Sequence, residues 1–149
     1  MLLYRIASTL YADDLSGTGG LYRSGRWHTV GTRIIYMSEH VSLTMLETLA
    51  NWTRLPEDVS LVTVEIPDSA SIYNVERNRL PNDWNLTPAP FNLAEITEEW
   101  IKKRQHWLMR VPSIHSPTEF NYLLNPLHPE HKTLKVVSIE SIIFDPRLK

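Results

Sequence analysis

The sequence predicts an α+β domain with mainly antiparallel sheets and flanking helices. Short β-branched and aromatic runs are interspersed with two stretches of helical periodicity, and no regular β-α-β period links them, which argues against a doubly wound Rossmann sheet. The 149 residues are enough for one sizeable core and too few for two. No repeat, low-complexity tract or linker divides the chain, so residues 1–149 are expected to form a single domain.

Leu2 to Ile6 is an apolar run and opens the chain as a strand. Asp13 to Gly20 holds three of the five glycines and reads as a mobile polar loop. Arg33 to Met37 is β-branched and aromatic, hence a strand. Glu39 to Trp52 places Val41, Leu43, Met45, Leu46, Leu49 and Ala50 at helical spacing, with Ser38 or Ser42 as the expected cap. After a turn at Leu55-Pro56-Glu57-Asp58, Leu61 to Ile66 forms a central strand that stops at Pro67. Residues 71 to 90 carry Pro81, Pro88 and Pro90 and are expected to be mostly irregular. Leu93 to Met109 reads as a helix whose apolar stripe includes Trp100 and Trp107. Arg110 to Ile114 is a strand running into a loop, and Pro117 to Leu124 a short helix or turn before Asn125-Pro126. Lys135 to Ile139 and Ile142 to Phe144 read as two late strands.

A formal net charge of −2 gives no general attraction to nucleic acid or an anionic membrane, so phosphate binding must rest on a few placed arginines. The absence of cysteine removes disulfides, thiolate metal sites and a cysteine nucleophile together. Met1 to Arg5 reads as a strand and not as a signal peptide, and no window approaches the roughly 20 apolar residues of a membrane span. A soluble, cytoplasmic protein is expected.

The chemistry gathers around Gly25-Arg26-Trp27, Tyr36 and Glu47. Arg26 offers a planar fork suited to phosphate, or is an exposed structural arginine. Tyr36 offers a flat face with a polar tip, or is a core aromatic. Glu47 is a carboxylate beside an apolar helical stripe, either facing a site or lying at the surface edge. Arg5, within an apolar strand, needs an ion partner or a ligand. Ser113 follows Pro112 and is a turn element or a ligand contact. No G-x-S-x-G elbow surrounds it, which excludes a serine hydrolase. Gly17-Thr18-Gly19-Gly20 lacks the spacing of a dinucleotide loop. His128-Pro129-Glu130-His131 is the tightest histidine cluster, but its proline and the lack of a third ligand make it a solvated loop, and no metal is expected.

These segments together resemble the RES domain family, known as the toxin half of RES-Xre type II toxin-antitoxin pairs. The matching pieces are Tyr4-Arg5-Ile6, Gly25-Arg26-Trp27 with Gly31, Tyr36 with Ser38, Leu43 to Glu47, Val111-Pro112-Ser113, Asn121 with Asn125-Pro126 and His128, and Phe144-Asp145 with Arg147. They run in order along nearly the whole chain. The resemblance implies a fold related to ADP-ribosyltransferases of the diphtheria-toxin type and an activity that consumes NAD, by hydrolysis, phosphorolysis or ADP-ribosyl transfer to a protein. It places Glu47, Arg26, Tyr36 and Ser113 in the catalytic set, and Arg5, Arg26, Tyr36, Ser113 and Asn125 in NAD binding. It implies an Xre-type antitoxin as partner. His28 stands where the family pattern has asparagine, and Thr44 where it has alanine. A noncatalytic antitoxin-binding module is the reading from another class, and a ribonuclease is disfavoured by the missing basic patch.

Overall fold

A computed structural model describes residues 1–149. The chain forms β1 (Leu2–Ser8), α1 (Gly19–Tyr22), β2 (Ile35–Ser38), α2 (Val41–Asn51), β3 (Val59–Glu65), β4 (Ile72–Asn74), α3 (Asn92–Lys103), β5 (Leu108–Pro112), β6 (Phe120–Leu124) and β7 (Lys135–Ile142). The seven strands lie in the order β4-β5-β6-β2-β1-β3-β7. Only β4 and β5 run parallel. The α+β class with a mainly antiparallel sheet is therefore the observed one.

Each face of the sheet carries its own core. The register puts Leu3 against Val64, Ile35 against Leu124 and Met37 against Tyr122, and these side chains join Trp107 and Leu108 in one buried cluster. Met109, Val111 and Leu123 face the other way, onto Leu93 and Trp100 of α3 together with Trp27, Leu80 and Trp84. Alternate residues of one strand thus serve opposite layers, as the pleat requires.

Several expectations are corrected. The second helix ends at Lys103, because Arg104 adopts a left-handed backbone (φ 54°) and turns the chain into β5. Trp100 and Trp107 consequently belong to different clusters on opposite faces instead of one helical stripe. Residues 120–124 are a central strand, paired with β2 on one side and β5 on the other, and not a helix or turn. The first late strand is β7, which runs to Ile142 with a bulge opposite Thr63/Val64, and Ile142 to Phe144 is not a second strand. The glycine loop closes into the single turn of α1. There Gly20 packs so closely on the backbone of Thr32 that a Cβ would lie 2.0 Å from its carbonyl oxygen.

The histidine cluster is corrected as well. Residues 129–133 form a 3-10 turn that joins two parts of the fold. Glu130 accepts from the backbone N–H of Ser71 (3.0 Å) and from its hydroxyl. His131 accepts at Nδ1 from the Trp107 indole (3.1 Å) and donates from Nε2 to the Leu15 carbonyl (2.8 Å), so both ring nitrogens are occupied.

β1 and β2 share one register pair, Tyr4 with Ser38, whereas β1 pairs with β3 along its whole length. The sheet therefore splays between β1 and β2, and α2 packs against both strands beside the gap.

Candidate active site

The splay opens a cleft of about 210 Å³ lined by Arg5, Tyr36, Ser38, Glu47, Asn121 and Trp52, among others. Four elements converge on it. β1 carries Arg5, β2 carries Tyr36 and Ser38, α2 carries Glu47, and β6 carries Asn121. α2 buries Leu43, Thr44 and Thr48, which leaves Glu47 half-buried at the edge of the packed stripe. The helix has no side-chain cap; Ser38, an expected cap, instead donates its hydroxyl to Asn121 Oδ1 at 2.7 Å.

Glu47 is the hub. Its Oε1 accepts from Asn121 Nδ2 at 2.6 Å and from the Ser113 hydroxyl at 3.1 Å. Ser113 is oriented in turn by the backbone N–H groups of His115 (3.0 Å) and Ser116 (3.3 Å), both donating to its Oγ. Two donors on one oxygen hold the carboxylate in a single orientation. Oε2 meets only the His115 imidazole, at 3.4 Å.

Tyr36 is tied at its hydroxyl. His28 Nε2 lies 2.7 Å from the Arg23 carbonyl, which can only accept, so Nε2 carries the proton and Nδ1 is free to accept. The Tyr36 O–H accordingly donates to His28 Nδ1 at 2.6 Å and accepts from the Trp27 N–H at 3.3 Å. Burial pushes the Tyr36 phenol well above its ordinary range, so it stays neutral, and the side chain lines the cleft. Gly25 is required here, since a Cβ would sit 2.7 Å from that hydroxyl.

The arginines are held by carbonyls. Arg5 Nη2 donates to the carbonyls of Asp14 (2.9 Å), Tyr11 (3.1 Å) and Ala12 (3.4 Å), while its buried Nε has no partner. Burial lowers its pKa, and the charge of Asp14 opposes that shift. Arg26 donates to Leu86 O (2.7 Å), Trp84 O (3.0 Å) and Thr87 Oγ1 (3.1 Å), bracing the loop over 84–87. It does not line the cleft, but burial lowers its pKa and the charge of Glu47 opposes that shift. Asn125 lies elsewhere: its Oδ1 accepts from the Leu127 N–H (3.0 Å) in a turn, and it is absent from the cleft wall. The structure thus brings together Arg5, Tyr36, Glu47 and, through Glu47, Ser113. It adds Ser38 and His115, and it gives Asn121 a contact that a turn over 117–124 would not provide.

Burial also shapes the response to acid. His28 and His131 both have pKa values lowered beneath the ordinary 6.5. Below that value the unfolded chain binds protons that the folded chain refuses, so stability is lost as pH falls through about 6.5. Asp14 and Glu130, whose pKa values are lowered by hydrogen bonds from Ser16 and Ser71 against the cost of burial, lose their contributions only at lower pH still. Thermal melts are expected to show a lower Tm at pH 5.5 than at pH 7.5. The His28→Asn/His131→Asn double variant should flatten that difference, and an equal slope in both proteins would refute the assignment.

The chain matches the RES domain over residues 2–145. A protein named Toxin Res from Yersinia enterocolitica is 39% identical, with 100% of each chain covered. A protein named Prs ADP-ribosylating toxin from a Sphingobium species is 36% identical over 95% of this chain and 91% of its own length. Among solved structures, one from the MbcT-MbcA toxin-antitoxin complex of M. tuberculosis has the same fold, with a TM-score of 0.69 over 99% of this chain and 85% of that one at 17% identity. The chain belongs to the RES domain family, and its full-length kinship is with toxins. No helix is long and apolar enough to cross a membrane.

Proposed function

We propose that this protein is the toxin of a type II toxin-antitoxin module that depletes cytoplasmic NAD by cleaving its nicotinamide–ribose bond, with water or phosphate as acceptor. The observation that carries the reading is Glu47: one oxygen is held by Ser113 and Asn121, and the other is left for a ligand in a cleft walled by Tyr36 and Arg5. Breaking the C1′–N bond sends its electron pair to the nicotinamide nitrogen, which leaves neutral, and leaves an oxocarbenium-like ribose. A carboxylate anchored beside that centre stabilises the developing cation and accepts from a ribose hydroxyl. The Tyr36 ring packs on nicotinamide, and Arg5 and Arg26 supply positive charge for the pyrophosphate. No metal is needed, since nicotinamide is a good leaving group without one.

The toxin kinship and the complex from M. tuberculosis support an antitoxin as partner, of Xre type by the family resemblance. Incubating antitoxin-free protein with NAD, with and without phosphate, tests the reading. Nicotinamide release is expected, with ADP-ribose or its phosphate ester as co-product. Absence of nicotinamide release would overturn it and favour a noncatalytic antitoxin-binding module. The Sphingobium relative's name favours a second reading in which the same first step passes ADP-ribose to a protein. Label from NAD appearing on a protein band in lysate would select it. Arg26→Ala is expected to raise KM for NAD about tenfold or more, with a smaller change in kcat. An unchanged KM would remove Arg26 from the phosphate role.

A further inference from the structure

His115 belongs to neither the sequence-derived site nor the cleft wall, yet it is the one group that meets the outward oxygen of Glu47. Its backbone N–H donates to the same Ser113 hydroxyl that donates to Glu47, so the turn over 113–116 delivers hydroxyl and imidazole to one carboxylate. Both side chains are about one quarter exposed (27% and 26%), open enough to exchange protons with solvent and buried enough for charge to matter. With Oε1 saturated by Asn121 and Ser113, only Oε2 can receive a ribose hydroxyl, and only His115 competes for it.

We propose that His115 is a positioning residue that sets the charge and availability of Glu47 Oε2, and that its protonation turns the site off. Neutral His115 leaves Oε2 to the substrate and leaves the carboxylate charge uncompensated. Protonated His115 forms an ion pair with Oε2, withdraws it from the ribose, and places a positive charge near a transition state that is itself cationic. The other charged groups around the pair do not share this position. Tyr36 is neutral, Arg26 donates to Trp84 O, Leu86 O and Thr87 Oγ1, and Arg5 is engaged by carbonyls. On the turn itself, Glu119 is taken by His40 at 2.6 Å, with Glu39 4.0 Å from the same imidazole.

The inference rests on the proposed NAD cleavage, and it is tested by two readouts of which one does not need turnover. In the first, kcat/KM for nicotinamide release is followed from pH 5 to 8, the range in which histidine changes charge. The wild-type value is expected to fall about tenfold per pH unit on the acid side. His115→Gln should abolish that limb, and His115→Lys should depress kcat across the whole range. In the second, the His115 ring protons are titrated by NMR in wild type and Glu47→Gln. Loss of the carboxylate charge is expected to move the His115 midpoint to lower pH. A limb that survives in His115→Gln, or a midpoint that does not move, overturns the role of His115. Absence of turnover with a midpoint that does move overturns the NAD reading and leaves the coupling of the two side chains standing.

Discussion

Glu47→Gln is expected to lower NAD turnover by at least about 10²–10³-fold while leaving the fold intact. The amide keeps the shape of the carboxylate, and its carbonyl oxygen can still accept from Asn121 and Ser113, the two bonds that orient the side chain. What disappears is the negative charge that the proposed mechanism sets opposite the forming cation, together with the Oε2 acceptor for a ribose hydroxyl. The loss should therefore fall on kcat, with KM changed only severalfold, because ground-state NAD has little use for that charge. Steady-state kinetics together with a thermal melt separate this from misfolding. Near-normal turnover in a folded variant would remove Glu47 from catalysis.

Trp107→Ala is expected to be the most damaging single change to stability. Trp107 has no exposed surface, sits in the larger core cluster, and donates from Nε1 to His131. Truncating a buried tryptophan costs about 3–5 kcal/mol from lost burial and cavity formation. For a domain of this size that corresponds to a Tm lower by roughly 6–20 °C. Urea unfolding monitored by circular dichroism measures it, and a loss below about 1 kcal/mol would contradict the packing described.

The first half of the fold is legible in the sequence because its patterns are local. β1, β2, α2 and β3 follow from β-branched runs, a 3.6-residue period and the stop at Pro67. The second half is less so. The run from Leu93 to Met109 keeps helical spacing past Lys103, and the helix ends at an arginine in a left-handed conformation where glycine would have been the readable signal. Pro117 and Asn121 make Phe120–Leu124 look like a turn, but pairing on both sides makes it a strand. That misreading hid the contact of Asn121 with Glu47. The alternation Phe120, Tyr122, Leu124 against Asn121, Leu123 was the available clue, since it sets the amide on the same face as Tyr36. His115 left no periodic signal, because a short turn places it and only the Ser113 hydroxyl bonds reveal why.

The hydrogen bonds that orient Glu47 span 66 and 74 residues of sequence. The strand that flanks β2 on the side away from β1, β6, comes from the last quarter of the chain. A polypeptide emerging from the ribosome carries Arg5, Arg26, Tyr36 and Glu47 long before it carries Ser113 and Asn121. Until residue 121 is free to pair, the carboxylate lacks its shorter hydrogen bond and the cleft has no far wall. Because both bonds reach so far along the sequence, only a nearly finished chain presents the completed cleft.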